Sequence, residues 1–229
     1  MGPVHLLTFA IAISLLGAPV LAGTVLVPAD RDATLVEHPD GAFANGSGPA
    51  FFAGRTNQEE NGIRRALLRF DVAGALPPHA IIESASLTLY LQPSNPGARE
   101  VRLHLVLTDW AEGPSSASGG GGDEAQPGDA TWIHTFYDQE LWIHPGGDYV
   151  PAESAGLVVD EAGFYTWQST LRLIRDVHLW AVAPHRNFGW LLTGDETTRQ
   201  TAKSFASREH PDEALRPVLE ITYRLPGDP

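Results

Sequence analysis

The stretch from Arg64 to Leu91 constrains this chain more than any other. Its second part runs from Ile81 to Leu91 and alternates strictly. Ala85, Leu87, Leu89 and Leu91 share one side, and Ser84, Ser86, Thr88 and Tyr90 share the other. Successive side chains of a strand point to opposite faces, so this pattern buries one face and wets the other. The first part, Arg64 to Asp71, repeats it, with Ala66, Leu68 and Phe70 inward and Arg65, Leu67, Arg69 and Asp71 outward. Pro77-Pro78 cannot donate to a ladder and marks the connection of an expected hairpin. Two half-buried strands need further strands to cover them.

The rest of the chain supplies candidates. Thr24–Val27 and Ala33–Glu37 read as strands separated by Asp30-Arg31-Asp32, and Ala50–Gly54 is a short apolar strand after the turn Asn45-Gly46-Ser47-Gly48-Pro49. From Glu100 to Leu107 the alternation returns, with Val101, Leu103, Leu105 and Leu107 inward and Arg102, His104 and Val106 outward. Further strands are expected at Ala130–Phe136, Gly156–Asp160, Phe164–Gln168, Phe188–Thr193, Ala202–Ser207 and Val218–Tyr223. The first and last strands are expected to pair. One helix stands out: Leu173, Ile174, Val177, Trp180 and Ala181 form an amphipathic stripe, with Ser169 or Thr170 to cap it and Pro184 to end it. Between Gly113 and Gly128 the pattern stops at a glycine-rich stretch, Gly119 to Gly122, expected to be a long mobile loop within the domain. The fold class that follows is all-β: an antiparallel β-sandwich, a jelly roll, with one short helix and a long Gly-rich loop.

Composition narrows the function. The net charge of -13 argues against nucleic acid or an anionic membrane as partner, because phosphate binding needs clustered Lys and Arg. The absence of cysteine excludes disulfides, thiolate metal sites and cysteine catalysis. The apolar run Leu6–Leu16, followed by Val20-Leu21-Ala22, reads as a signal peptide cleaved after Ala22, and the run is shorter than the roughly 20 residues a membrane span takes. The expected mature chain, residues 23–229, is one domain, secreted and without membrane insertion.

Several stretches carry a family likeness. They include Thr34-Leu35-Val36-Glu37, Phe52-Ala53-Gly54-Arg55, Arg65 to Asp71, Asp109-Trp110-Ala111-Glu112-Gly113, Gly128-Asp129-Ala130-Thr131-Trp132, Pro145-Gly146-Gly147-Asp148-Tyr149, Asn187-Phe188-Gly189-Trp190 and Ser207-Arg208-Glu209. In this order and spacing they resemble the secreted bacterial β-sandwiches called DNRLRE domains, which are similar to jelly-roll carbohydrate-binding modules. The resemblance implies an extracellular binding or structural module and implies no catalytic activity.

Two constellations are candidate sites. Trp132, Trp142 and Tyr149 lie in turn-rich segments near the glycine loop, where exposed rings would stack on the apolar face of a sugar. Trp180 and Trp190 sit in apolar patterns and read as core. Asp109, Glu112, Asp129 and Asp148 are candidate ligands of a structural calcium ion, which takes 6–8 oxygens from carboxylates and carbonyls; the alternative is solvated loop acids and turn caps. Asp30 and Asp32 form a second acidic pair. Arg65, Arg69, Arg208 and Glu209 read as structural ion pairs. No His-Glu-x-x-His, Gly-x-Ser-x-Gly or phosphate-binding glycine loop is present. The expected role is non-catalytic binding of extracellular polysaccharide or cell-surface glycan, or adhesion. The alternatives are a structural subunit that self-associates through sheet edges, and a polysaccharide hydrolase or lyase with two acids facing across a cleft, roughly 5 to 10 Å apart for hydrolysis.

Overall fold

The computed structural model describes residues 22–226. The expected leader therefore lies outside the described residues, apart from Ala22. In chain order the elements are β1 (Ala22–Val36), β2 (Phe43–Asn45), β3 (Ala50–Arg55), β4 (Ile63–Phe70), α1 (Val72–Ala75), β5 (Ile81–Leu91), β6 (Arg99–Leu105) and β7 (Asp123–Glu124). There follow β8 (His134–Phe136), β9 (Glu140–Leu141), β10 (Ala155–Val159), β11 (Gly163–Trp167), α2 (Leu171–Val182), β12 (Trp190–Thr193), β13 (Lys203–Ala206) and β14 (Val218–Arg224). The protein is mostly β, 41% strand and 11% helix, with antiparallel sheets. No helix among the described residues is long and apolar enough to cross a membrane.

The architecture turns on β1, a single strand of 15 residues where two were expected. Its first half pairs with β14, from Ala22↔Arg224 to Pro28↔Val218, so the two ends of the fold meet as expected. Its second half pairs with β4, from Arg31↔Arg69 to Val36↔Arg64. The register slips between Ala29 and Arg31. An extra residue bends a strand and lets it leave one sheet for another. That corner closes a ring of six strands, β1-β14-β5-β13-β3-β4, in place of a plain sandwich of two separate sheets. Beyond the ring, β4 continues into β12, β6 and β10, β5 adds β11, and β1 adds β2 and β7.

The expected hairpin between β4 and β5 does not form. β4 bonds to β1, β3 and β12, whereas β5 bonds to β11, β13 and β14. The two strands meet through their apolar faces instead: Ala66, Leu68 and Phe70 share one buried cluster with Ala85, Leu87, Leu89 and Leu91. Alternation specifies which face is buried and leaves the hydrogen-bonding partner open. The one-turn helix α1, which the pattern did not announce, carries the chain across from one wall to the other. Helix α2 packs Leu173, Val177 and Trp180 into the same cluster. Its cap is Thr170, whose Oγ1 accepts from Leu173 N at 3.0 Å, and a 3₁₀ turn begins at Pro184.

A second apolar cluster lies on the other face of β4. Ala33 and Leu35 of β1, Leu67 of β4 and Leu191 of β12 are covered by Val106, Trp110, Ala130 and Trp142 from the segment between β6 and β10. Leu67 was expected to face outward and is buried, at 0% exposure, because this segment lies over it. Val106, read as outward, belongs to the same cover, while Leu107, read as inward, is 52% exposed beyond the end of β6.

The glycine-rich loop is tied down. Ser115 C=O accepts from Gly46 N at 3.0 Å, Asn45 Oδ1 accepts from Ala117 N at 2.8 Å, and the Arg64 guanidinium donates to the carbonyl of Gly120. At Gly46 a Cβ would stand 1.8 Å from the Glu112 carbonyl oxygen, so the loop and the turn meet backbone to backbone only because residue 46 is glycine.

Candidate functional site

The cover over the outer face of β4, β12 and β6 is incomplete, and a groove opens where it stops. Two depressions share Tyr149 and Pro151 as a common wall. One, of about 620 Å³, is polar and is lined by Arg99, Glu100, Arg102, His104, Thr193 and Asp195, among others. The other, of about 570 Å³, is more apolar and is lined by Leu107, Ile143 and Pro145 with Arg65 at its floor. Ile143 is 80% exposed, so the apolar half carries free hydrophobic surface.

The strand period places the polar residues. Arg102 and His104 are alternate positions of β6, and Thr193 follows Leu191 on the neighbouring β12 with the pairings Leu191↔His104 and Thr193↔Arg102. His104 Nδ1 lies 3.2 Å from the Val150 carbonyl oxygen and Nε2 3.2 Å from Thr193 Oγ1. A carbonyl only accepts, so Nδ1 carries a proton, while the Thr193 hydroxyl can donate to Nε2 or accept from it. Burial pushes the His104 pKa down, against a smaller upward pull from the Val150 carbonyl and Glu153. The Tyr149 ring lies 5.0 Å from the His104 ring at a tilt of 55°.

Arg65 organises the floor. Its guanidinium grips Glu196 with two bonds of 2.8 and 2.9 Å and donates to the Gly146 carbonyl at 2.8 Å. It stacks 5.0 Å from the Trp132 ring and 5.5 Å from the Tyr149 ring. Burial lowers the Arg65 pKa, and the Glu196 carboxylate more than offsets this, leaving it raised. Asp195, beside Glu196, accepts from the backbone of Thr198 and Thr197, which holds its carboxyl at about 2. Both acids are engaged, Asp195 by backbone N–H groups and Glu196 by Arg65.

The three candidate rings occupy different places. Tyr149 lines both depressions. Trp132 is half-buried behind Arg65 and backs the floor. Trp142 is 5% exposed, and its indole N–H donates to the Thr131 carbonyl at 2.9 Å, so it belongs to the second cluster and not to the groove surface. His104, Arg102, Thr193, Asp195 and Glu196 escaped the reading as site residues. The signal for His104 and Arg102 was their outward position on a strand; for Asp195 and Glu196 there was none, because they come from a turn after β12.

The four candidate calcium acids do not converge. Asp109 accepts from its neighbour Trp110 N at 2.9 Å and faces Arg31 at 3.5 Å. Asp129, raised by burial, accepts from Ser115 N and Gln126 N. Asp148 closes the 143–148 turn by accepting from Ile143 N at 2.8 Å and His144 N at 3.0 Å. Glu112 alone joins an acidic cluster, with Asp32 and Glu209, whose ligand-type atoms lie within 4.8 Å of one another.

One arginine serves all three of these carboxylates, two through its guanidinium and one through its backbone N–H. Arg208 Nε lies 2.7 Å from Glu112 and 2.8 Å from Glu209, and its backbone N–H donates to Asp32 at 2.7 Å. The Oε2 of Glu209 is buried and has no hydrogen-bond partner. Burial raises Asp32 well above the ordinary aspartate value, and burial with the Glu112 charge raises Glu209. The donor set is all oxygen with negative charge in excess, the chemistry that suits a hard cation such as calcium. Arg208 and Glu209, read as structural ion pairs, do pair here.

Neither the protein-family models nor the curated proteins contain a match to this chain.

Proposed function

We propose that this protein is a secreted, non-catalytic module that binds extracellular polysaccharide. The observation that carries the reading is the groove beside Tyr149, in which an apolar wall continues into a row of paired donors and acceptors. A sugar presents both surfaces, an apolar C–H face and a rim of hydroxyls that donate and accept, and ligand sites generally pair apolar lining with a few placed polar groups. The closed antiparallel barrel with its outer sheet extension is compatible with a jelly-roll carbohydrate-binding module. The resemblance to DNRLRE domains supports the same assignment, because its stretches supply Arg65, Tyr149 and Trp132. The test is affinity electrophoresis of residues 23–229 through gels carrying soluble polysaccharides, with sugar release assayed in parallel. Retardation without release, lost in Tyr149→Ala, is the expected result. Unchanged retardation in that variant sinks the groove as the site.

Calcium remains part of the proposal, moved from the four dispersed acids to Asp32, Glu112 and Glu209, where the ion would stabilise the junction of β1, the glycine loop and the segment after β13. Glycoside hydrolysis is disfavoured by the engagement of Asp195 and Glu196, which leaves neither free to act as acid or nucleophile. A self-associating role rests on a separate observation: the edge strands β10 and β11 expose Val158 and Phe164 at 57% and 58%. Sedimentation velocity across a concentration series, without sugar, tests that role.

A further inference from the structure

We propose that the groove selects uncharged, hydroxyl-rich glycans, and that Glu196 sets this selectivity by cancelling the charge of Arg65. The proposal rests on the reading of the groove as a glycan site and names the class of glycan. Every guanidinium along the groove already faces a carboxylate. Arg65 is held in bidentate fashion by Glu196. Arg99 Nε lies 3.5 Å from Asp195, and Arg102 Nε lies 3.0 Å from Glu153 while its Nη2 bonds Glu100. His104 is held between the Val150 carbonyl and the Thr193 hydroxyl, and its burial favours the neutral ring. The single lysine of the chain, Lys203, is far from available: it is fully buried and donates to the carbonyls of Asn95, Gly97 and Asp160.

A uronate or sulfate entering this groove would have to displace a carboxylate from its arginine. That leaves the displaced carboxylate partly buried and unpaired, which costs more than the new pair returns. A neutral sugar meets no such competition. Its hydroxyls add to the free positions of paired guanidinium and carboxylate groups, which alternate donor and acceptor along the groove. Of the residues that make the pairs, Glu196 is decisive, because its partner Arg65 lies directly under Tyr149.

The experiment is affinity electrophoresis of residues 23–229 in gels containing a neutral glucan, a neutral xylan or polygalacturonate, at roughly 0.05 and 0.5 M salt, a range over which exposed charge pairs are strongly screened. Wild-type protein is expected to be retarded by a neutral polymer, with a dissociation constant indifferent to salt. Glu196→Gln, which keeps the shape and frees Arg65, is expected to gain salt-sensitive retardation by polygalacturonate of about tenfold in affinity. A folded Glu196→Gln protein that gains nothing overturns the proposal. Wild-type retardation by polygalacturonate that Tyr149→Ala abolishes overturns the charge assignment and leaves the groove reading standing. Absence of retardation by all three polymers overturns both. Should Glu196→Gln fail to fold, the wild-type salt series decides: salt-sensitive binding to any of the polymers overturns the proposal.

Discussion

The outer face of β4 and its neighbours is two surfaces. Over Leu35, Leu67 and Leu191 it is dry, sealed by Trp110 and Trp142. Over Arg65, His104 and Thr193 it is open, polar and bounded by Tyr149. The same strands make both halves, and the residues alternate with the same period. What differs is the cover. The segment between β6 and β10 lays large rings on one half and ends in the 143–148 turn beside the other. Covering half a sheet face creates a step, and the step is the groove. The covered half also fixes the geometry of the open half: Trp142 bonds the Thr131 carbonyl next to Trp132, and Gly146 N donates to the Trp132 carbonyl at 2.6 Å. The rigid dry side thus positions the rings and carbonyls that hold Arg65.

The largest effect is expected from breaking the dry half. Trp110 is 0% exposed, and its indole N–H donates to the Phe188 carbonyl at 2.8 Å. Trp110→Ala leaves a cavity under the cover and an unpaired carbonyl, for about 3–5 kcal/mol of lost stability by urea denaturation. If the step makes the groove, polysaccharide retardation falls with it although residue 110 lines neither depression. Stability lost with binding intact would show that the open half is independently built.

Next in size is the acidic cluster, which ties the loop to the barrel at the far side of the dry half. There one arginine serves three carboxylates, whereas each groove arginine faces one or two of its own. The larger excess of carboxylate over arginine is the ground on which calcium is proposed there. Calcium at 100 times its dissociation constant is expected to raise stability by about 2.7 kcal/mol, read as a melting-temperature shift reversed by EDTA. Asp32→Asn should remove the shift. The variant carries its own prediction in metal-free buffer. Asp32 is raised in the folded state, so the folded protein holds its proton more tightly than the unfolded chain. Its contribution to stability therefore falls as pH rises from the ordinary aspartate value through the raised one. Asparagine resembles the protonated form, so the variant should gain on wild type at neutral pH and converge with it at low pH. A melting temperature indifferent to calcium, with no such convergence, would leave the cluster a plain ion-pair network.

Much of this fold was legible. The alternation in Ile81–Leu91 identified its buried face correctly, the stripe Leu173–Ala181 identified the helix, and of the two cap candidates, Ser169 and Thr170, the second serves. Partners were not legible, because period 2 says which way a side chain points and nothing about which strand lies alongside; hence the hairpin that became two opposite walls. The second cluster was hidden for a related reason. Leu67 reads as an outward residue, and only the three-dimensional course of a loop 39 or more residues later buries it. The site was half visible. Tyr149 and Trp132 stood out as rings in turns, and Arg65 as a charge on a strand. Their convergence with His104 and Glu196 depends on long-range contacts such as the Arg65–Glu196 pair, separated by 131 residues, which no local pattern encodes.

A smaller effect is expected at the helix that plugs the barrel. Thr170 accepts from Leu173 N and donates to the Ser154 carbonyl, linking α2 to the segment that leads into β10. Thr170→Ala should cost about 1 kcal/mol of stability. It should leave glycan retardation unchanged, since α2 lies on the core side of the sheet and touches neither half of the outer face. A loss of binding would mean that the groove depends on the barrel end as well as on its cover.

The smallest effect sharpens the boundary between the halves. His104 is 6% exposed but belongs to the groove wall. Its folded pKa is lowered, first by burial and then by the charges of Arg102 and Arg65, with Val150 and Glu153 opposing. Below its ordinary value of about 6.5 the unfolded chain takes up the proton more readily than the folded one. The stability His104 contributes is therefore fully present above about pH 6.5 and is lost as pH falls below it. His134 titrates in the same direction, so wild-type protein alone does not isolate the effect. His104→Gln retains a donor and an acceptor for Val150 and Thr193 without the titration. Its stability should fall less than that of wild type between pH 7 and pH 5, read as the difference between two urea midpoints. The same protonation places a cation beside Tyr149, so glycan retardation by wild type should weaken over that interval and that of the variant should hold. If the two proteins lose stability and binding in parallel, His104 is a packing residue of the dry half, and the boundary of the groove lies at Tyr149.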